Sequence, residues 1–283
     1  MSSSEPLIRN ISDTARWVAV YRANETERPD ALFRDPLARR LAGERGEQIA
    51  SAGFTRHHTW SFATRTYLFD QYITEQIAQG TDMVVNLAAG LDTRPYRMAL
   101  PATLQWIEVD LPELIDYKES VLEGEKPVCR LERFRLDLAQ ADAASDLFKQ
   151  LGARARRILI LTEGLLIYLP TEQVAALAEQ LASVSSMQRW VLDLCSPALR
   201  RMIQRQMGGP LSEAGARLQF APEQGPDFFR AHGWEPLEAR SMLKTAARLK
   251  RLPFWLRLMA FFPDTQGRKP QRPWGGICLL GRQ

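Results

Sequence analysis

The sequence predicts an α/β fold built on a parallel β-sheet. A short apolar strand runs into a loop of small residues, strands and helices alternate after it, and acidic residues follow several strands. Strands separated by helices are typical of a parallel sheet. The predicted strands lie near 83–87, 105–109, 131–136, 157–162 and 189–194, and the predicted helices near 94–99, 112–121, 142–150 and 171–184.

The first of these strands opens the stretch Met83-Val-Val-Asn-Leu-Ala-Ala-Gly-Leu-Asp-Thr-Arg94. Its apolar run ends at Leu87, and Ala88, Ala89 and Gly90 follow. Small side chains let the backbone approach a ligand closely, and such a loop after a buried strand is how parallel sheets hold nucleotide-type cofactors. The stretch therefore predicts one wall of a cofactor site.

The flanking regions predict further elements. The segment before the first strand predicts three helices, at 13–23, from about Pro36 with interruptions at Gly43 and Gly46, and from His57 to near Gly80. After the fifth strand we expect an inserted helix at 198–207, a helix end with Gly233 as its C-cap, a sixth strand near 234–240 and a last strand at 276–281.

The composition excludes several classes of protein. With 45% hydrophobic and 25% charged residues among 283, it is that of a soluble globular protein with an ample core. The start of the chain has no signal-peptide pattern, and no apolar run approaches the roughly 20 residues of a transmembrane helix. The three cysteines are far apart, so we expect neither a disulfide framework nor a metal site, and a cytoplasmic location fits.

The net charge of +4 belongs to one segment. Residues 240–272 hold nine Lys or Arg and one acid, so the rest of the chain has 28 basic and 32 acidic residues, a net of −4. This distribution argues against nucleic acid as a partner. Within the segment, Pro253 divides two helical pieces over 241–262, and the second is very apolar. A membrane-surface helix is one interpretation; we expect instead a helix packed on the domain with its Lys and Arg in water, because apolar helices usually bury against protein.

Acids at the ends of the later strands are the candidate binding residues. Asp110 lies 20 residues after Gly90, where a carboxylate can take both ribose hydroxyls; capping the next helix is the alternative. Asp137, with Leu138 beside it, could meet an adenine edge, and again a helix cap is the alternative. Glu163 lies between a buried strand and a glycine, where an acid is costly without a partner or ligand.

Cations and histidines complete the candidates. Arg65 and Arg94 lie near the presumed site, where either could neutralise a carboxylate or form an ordinary salt bridge. The neighbouring His57 and His58 have no Cys or carboxylate spacing of a metal site and no nucleophile motif nearby.

Several stretches together resemble the bacterial S-adenosylmethionine-dependent methyltransferases related to leucine carboxyl methyltransferase, a group that includes polyketide carboxyl O-methyltransferases. The resemblance covers about residues 10–195, with the motifs in the right order. The stretches are Ser12-Asp-Thr-Ala-Arg-Trp-Val-Ala-Val-Tyr-Arg22, Glu27-Arg-Pro-Asp-Ala-Leu-Phe-Arg-Asp-Pro-Leu-Ala38, Asn86-Leu-Ala-Ala-Gly-Leu-Asp-Thr-Arg-Pro-Tyr96, Glu108-Val-Asp-Leu-Pro112 and Thr162-Glu-Gly-Leu-Leu-Ile-Tyr168.

The resemblance implies a class I methyltransferase fold, Rossmann-like, with a seven-stranded sheet whose last strand is antiparallel. It implies an N-terminal helical cap over residues 1–80, part of the same domain as the core at 81–283. Variable insertions in the core are expected at about 196–226 and 241–272.

The resemblance also implies the roles of the site residues in binding S-adenosylmethionine. Arg65 would hold the methionine carboxylate and Glu163 the amino group, with Gly90 approaching the same part through its backbone. Asp110 would bind the ribose, and Asp137 with Leu138 the adenine. Asn86 and Ala88 belong to the same loop; Ala88 stands where many relatives have glycine, and we expect its methyl group to be tolerated.

The implied reaction is in-line methyl transfer to an oxygen of a small molecule, polyketide-like or another secondary metabolite. A carboxylate acceptor is ionised at neutral pH and needs no strong base, so positioning and desolvation would suffice. Motif position makes Arg16, Tyr21, Arg22 and Tyr168 candidates for orienting the acceptor, and His57 or His58 a candidate base for a phenol.

Two other functions fit parts of the sequence. An NAD-dependent oxidoreductase would also place an acid about 20 residues after a glycine loop, although Ala88, Gly90 and Thr93 occupy the positions of GxGxxG. A non-catalytic cofactor-binding or membrane-associated scaffold would use the basic segment at 240–272.

Overall fold

A seven-stranded β-sheet forms the centre of the molecule in the computed structural model, which describes residues 11–51, 59–213 and 217–283. The strands are β1 (Met83–Leu87), β2 (Gln105–Asp110), β3 (Arg130–Arg135), β4 (Ile158–Thr162), β5 (Met187–Cys195), β6 (Trp234–Ser241) and β7 (Gly275–Arg282). Each lies within a few residues of its predicted position.

The strand order is β3-β2-β1-β4-β5-β7-β6. Neighbouring strands from β3 to β5 are parallel, and β7 is antiparallel to both β5 and β6. The central strands β1 and β4 are buried at every residue, as their continuous apolar sequences require of strands covered on both faces. The predicted sheet, with its last strand antiparallel, is confirmed.

Helices cover the sheet and its carboxyl edge. Those in the described residues are α1 (Ile11–Thr26), α2 (Ala38–Ser51), α3 (Thr59–Ala78), α4 (Arg94–Arg97), α5 (Pro112–Val121), α6 (Ala141–Gly152), α7 (Thr171–Ala182), α8 (Pro197–Glu213) and α9 (Met242–Arg248). A 3-10 helix at Gly225–His232 ends at Gly233, which adopts φ 85° and caps it as predicted.

Two glycines of α2 differ in their roles. Gly43, at φ 60° and ψ −177°, breaks the helix as predicted. The predicted interruption at Gly46 is wrong, because Gly46 is helical and buried. A Cβ there would lie 2.9 Å from the carbonyl oxygen of Arg16, so the absence of a side chain lets α2 pack closely against α1.

The helices α1 and α2 lie against the loop that follows β1. Apolar side chains from both helices share one cluster with Leu91 of that loop and Leu114 of α5. The Arg22 guanidinium donates from Nε to Asp35 Oδ2 at 2.8 Å and from Nη2 to the Leu91 carbonyl oxygen at 2.5 Å. The N-terminal helices are thereby fastened over the carboxyl edge of the sheet.

The expectation that the second helical piece of 241–262 packs on the domain is wrong. Pro253 does separate α9 from a 3-10 helix at Phe254–Phe261, but that helix has no buried residue. Its large apolar side chains, with that of Phe262, face solvent; Phe254 is 81% and Phe261 84% exposed. Long-range packing, which the helical pattern does not encode, decides this outcome.

The loop after β1 contains a strained residue. Ala88 adopts φ 53°, in the left-handed region, and Gly90 adopts the same φ. A left-handed conformation is free of steric cost only for glycine. The methyl group of Ala88 is therefore accommodated at a cost in backbone energy.

Replacing Ala88 with glycine should raise the free energy of unfolding by about 1 kcal/mol, because it removes a left-handed penalty of about 1–2 kcal/mol and adds only a smaller unfolded-state entropy. The neighbouring Ala89 does not have a positive φ, so Ala89→Gly is the matched control and should lower the free energy of unfolding. Urea denaturation measures both. Equal losses in the two variants would contradict the strain assigned to Ala88.

Candidate active site

A cavity of about 420 Å³ opens at the carboxyl edge of the sheet, beside β1 and β4. The chain order of the sheet reverses between these strands, and this is where open α/β sheets bind ligands. The loops after β1, β2 and β4, the end of β5 and the helices α1, α3 and α8 supply its walls.

The buried guanidinium of Arg94 joins three carboxylates behind the cavity. It lies 2.6 Å from Asp70 Oδ1 of α3, 2.9 Å from Asp92 Oδ2 and 2.8 Å from Glu163 Oε2. Burial disfavours the charged guanidinium, but these carboxylates raise the pKa of Arg94 well above its usual value. Of the two roles that the sequence left open for Arg94, the structure shows the salt bridge, with each of its three guanidinium nitrogens on a carboxylate.

The Asp92 carboxylate is held by the same network. It accepts a hydrogen bond from Asn86 Nδ2 at 2.8 Å and another from the Arg94 backbone amide at 2.9 Å. Burial alone would raise the pKa of Asp92, but Arg94, with Lys118 and Arg97 farther away, lowers it to about 2.

Arg65 of α3 faces the cavity between two acids. Its Nε donates to Glu163 Oε1 at 3.0 Å, and its Nη1 lies 3.6 Å from Asp193 Oδ2. Burial alone would lower the pKa of Arg65, but the two carboxylates outweigh this effect and raise the pKa above its usual value. Glu163 therefore bridges Arg65 to Arg94, with one carboxylate oxygen on each.

Asp193 lines the cavity from β5 and was not predicted from the sequence. Its Oδ1 accepts a hydrogen bond from the Gly164 amide at 2.7 Å. Burial raises the pKa of Asp193 against the opposing effects of Arg65 and this amide. The available signal was the acid in the apolar run Trp190-Val-Leu-Asp-Leu-Cys195, the same signal that identified Glu163.

Asp110 and Gly90 meet across the ends of β2 and β1. The Gly90 amide donates to Asp110 Oδ2 at 2.6 Å, and the Leu111 amide donates to Oδ1 at 2.8 Å. Burial raises the pKa of Asp110, while the two amides act in the opposite direction. This carboxylate accepts from its own loops and presents its remaining lone pairs toward the cavity that it lines.

The other end of the cavity is apolar. Side chains from α1, α3, α8, the segment after β4 and the segment that follows α8 form it. The residues are Trp17, Phe62, Ile167, Ile203 and Leu218. Tyr168 also lines this region, and burial raises the pKa of its phenol, so the hydroxyl keeps its proton at neutral pH.

The structure brings most of the predicted cofactor residues together. Six of them line the one cavity: Arg65, Asn86, Ala88, Gly90, Asp110 and Glu163. Asp137 and Leu138 do not line it. Asp137 Oδ1 accepts from the Ala139 amide at 2.9 Å, within its own loop.

The predicted acceptor residues are scattered. Tyr168 and Arg22 line the cavity, and Tyr21 does not. The Tyr21 hydroxyl accepts from Trp17 Nε1 at 2.8 Å, and its ring stacks on Phe62 at 4.6 Å. The Arg16 guanidinium lies 3.6 Å from the Tyr117 ring centre. His57 and His58 fall outside the described residues.

The described residues show no metal cluster and no membrane-spanning helix. Among them, no three His, Cys, Asp or Glu side chains are grouped to hold a metal ion. None of the helices described combines the length and the apolar character needed to cross a bilayer.

Sheet order, the antiparallel last strand and a cavity at the reversal of chain order define a class I methyltransferase fold. Two solved structures share it. A methyltransferase from Thermobifida fusca matches with a TM-score of 0.63 at 14% identity, covering 98% of this chain and 96% of that one. A DUF574 family protein from Streptomyces avermitilis matches with a TM-score of 0.61 at 12% identity, covering 94% and 96%.

The family model described as leucine carboxyl methyltransferase matches residues 15–182, and the chain belongs to this family. A protein of Streptomyces coelicolor named as an S-adenosyl-L-methionine-dependent methyltransferase is 36% identical over 78% of this chain and 82% of its own. One of the same description from Streptomyces avermitilis is 35% identical over 95% of each. The family resemblance predicted from the motifs is confirmed. Because the chain belongs to a methyltransferase family, the oxidoreductase interpretation is rejected.

Replacing Arg94 with glutamine should lower the free energy of unfolding by about 3–5 kcal/mol, because it leaves buried carboxylates without their cation. The control is Arg135→Gln. Arg135 also bridges two acids, Asp116 and Glu119, but on the surface, where the loss should be much smaller because solvent screens exposed ion pairs. Chemical denaturation compares them, and similar losses would refute the assigned importance of the buried network.

Stability should fall with acidification partly through Asp92. Its folded-state pKa of about 2 lies below the ordinary value of 3.8, so its contribution to stability is present above the unfolded-state pKa and is lost as pH falls toward 2. Between about pH 5 and about pH 3 this carboxylate should account for about 1 kcal/mol of the loss. In Asp92→Asn the pH dependence should be flatter by that amount; a curve parallel to that of the unaltered protein would contradict the assignment.

Proposed function

We propose that the protein transfers a methyl group from S-adenosylmethionine to an oxygen, in the first instance a carboxylate oxygen, of a small molecule with an apolar body such as a polyketide-like metabolite. The observation that carries the proposal is that the wall of one cavity combines charged side chains at the strand termini with an apolar cluster that includes Trp17, Phe62 and Leu218. S-adenosylmethionine is the cofactor.

The residues at the charged end fit this cofactor. A Cβ built on Gly90 would have only the Ala15 Cβ within 4 Å, at 3.7 Å, so the missing side chain leaves room against the backbone. The buried Thr14 hydroxyl, also in the cavity wall, has no hydrogen-bond partner among the described residues. The site thus lets a ligand approach the Gly90 backbone closely and offers it the Thr14 hydroxyl as a hydrogen-bonding group.

The charges fit the amino-acid part of the cofactor. Arg65 and Glu163 form an ion pair at the cavity surface. A zwitterionic α-amino acid presents the complementary pair, so its carboxylate can bind Arg65 while its ammonium group binds Glu163. Asp193, beside Arg65 and fixed by the Gly164 amide, would keep the guanidinium in place.

The remaining cofactor contacts follow the strand ends. Asp110 has lone pairs left for the two ribose hydroxyls after accepting the Gly90 and Leu111 amides. Asp137 and Leu138 are proposed for the adenine, with the second oxygen of Asp137 taking the exocyclic amine. Asn86 and Ala88 shape the loop between these contacts.

The acceptor end supports an acceptor that is already ionised. When bound, S-adenosylmethionine supplies an electrophilic methyl group on a sulfonium. Burial, with Asp193 nearby, raises the pKa of the Cys195 thiol to about 12, and Tyr168 also holds its proton. The carboxylates lining the described cavity already bond to arginines or amides. A carboxylate acceptor needs no base, and the protein's task is to orient it and exclude water.

Tyr168 is the proposed orienting residue. Its neutral hydroxyl can donate a hydrogen bond to the acceptor oxygen. Arg22 also lines the cavity, but its guanidinium is paired with Asp35 and the Leu91 carbonyl oxygen, and Tyr21 supports the wall through Trp17 and Phe62.

Calorimetry should detect binding of S-adenosylmethionine to the purified protein. Asp110→Asn should weaken binding by about tenfold to a hundredfold, because hydrogen bonds to a charged acceptor are lost. The matched control is Asp116→Asn, which removes an exposed carboxylate of α5. Equal affinities for the two variants would refute the ribose role of Asp110.

A methyl-transfer screen with labelled cofactor should give products from apolar carboxylic acids, detected by mass spectrometry. Mild alkaline hydrolysis should release the label as methanol, because esters are cleaved and phenol ethers are not. Tyr168→Phe should raise the KM for the acceptor and leave cofactor affinity unchanged. Alkali-stable products from phenols alone would overturn the carboxylate assignment.

A further inference from the structure

An exposed apolar surface lies on the insertion between β6 and β7, away from the residues assigned to catalysis. We call it the 254–262 surface: six large apolar side chains within nine residues, 48–84% exposed. They are Phe254, Trp255, Leu258, Met259, Phe261 and Phe262. Contiguous apolar exposure of this kind marks an interaction site rather than ordinary surface.

The base of this surface is firmly attached to the protein. Leu252 is buried, and Arg251 lies 2.9 Å from both Glu25 Oε1 and Asp30 Oδ2 in the N-terminal helical region. The apolar side chains are therefore presented outward from an anchored support. The same insertion places Met242, at the start of α9, in the cavity wall.

The insertion that carries the surface is rich in cations without an ion pair. The exposed cations Lys244 and Arg248 lie one turn apart on α9, and Lys250 follows them. Within the described residues none of these three forms an ion pair, and the same is true of the exposed Lys269 and Arg272. The single acid of the segment, Asp264, accepts from Trp274 Nε1 at 2.8 Å and from the Gln266 amide at 2.9 Å.

We propose that the 254–262 surface binds the surface of an anionic lipid bilayer. Aromatic and leucine side chains enter the boundary between headgroups and acyl chains, while neighbouring Lys and Arg attract anionic headgroups. A second copy of this chain would fit poorly, because a twofold interface sets the same patch against itself and so brings like charges together.

Sedimentation with vesicles tests the proposal on the full chain. The protein should bind vesicles of phosphatidylcholine with roughly a third phosphatidylserine, and bind pure phosphatidylcholine much less, with affinity falling as salt approaches about 0.15 M. Phe254→Ser with Phe261→Ser should abolish binding. Val128→Ser, which alters an exposed apolar residue before β3, is the control and should leave binding unchanged.

A comparison of two double variants tests how much the cations contribute to vesicle binding. Lys244→Ala with Arg248→Ala should lower vesicle partitioning by about 25-fold, since each cation near the surface contributes about fivefold. Lys126→Ala with Arg130→Ala makes the same charge change on exposed residues elsewhere and should have a much smaller effect. Circular dichroism melting verifies that each variant is folded.

Three outcomes would overturn the proposal. The folded protein would fail to bind anionic vesicles, or the serine double variant would bind as well as the unaltered chain. In the third outcome the protein would not bind vesicles, and ultracentrifugation would show that it self-associates unless it carries the serine double substitution. That result would assign the surface to a second copy of the chain. None of these measurements uses the methyl acceptor, so they are independent of the proposed reaction.

Discussion

The guanidinium of Arg94 joins carboxylates from three separate segments, α3, the loop after β1 and the loop after β4. Each of these segments also supplies a wall of the cavity. Since one oxygen of Glu163 is held by Arg94, the other is directed at Arg65. The charged end of the cavity thus depends on a cation whose three nitrogens are each bonded to a carboxylate of the protein.

In this arrangement the two arginines, Arg94 and Arg65, have different roles. Both line the cavity. Arg94 is 3% exposed in its side chain and bonds to three carboxylates, whereas Arg65, 15% exposed, has an ion pair with Glu163 that a zwitterion can replace. Burying several charges costs solvation energy, which the short contacts offset only if all partners remain present. The same charges make the strand ends polar, while the facing helices supply Trp17 and Ile203 to the apolar end, and the segment after α8 supplies Leu218.

The sequence predicted the sheet well because the central strands β1 and β4 are short apolar runs bounded by turns, and the ends of parallel strands meet at one edge. For that reason Gly90, Asp110 and Glu163 could be assigned to one site before the structure. Asp193 was missed because it lies inside its strand. The pairing of Arg22 with Asp35, the φ of Ala88 and the exposure of Phe254 arise from tertiary packing, which local pattern does not contain.

The protein therefore presents a methyltransferase core whose cavity is capped by N-terminal helices and bordered by a basic, apolar insertion. A crystal structure with S-adenosylhomocysteine tests this account most directly. We expect the ribose hydroxyls on Asp110, the amino-acid carboxylate on Arg65, and Arg94 still bound to its three carboxylates. Density for the ribose or the amino-acid part outside this cavity, or Arg94 turned away from Glu163 to bind the ligand, would contradict it.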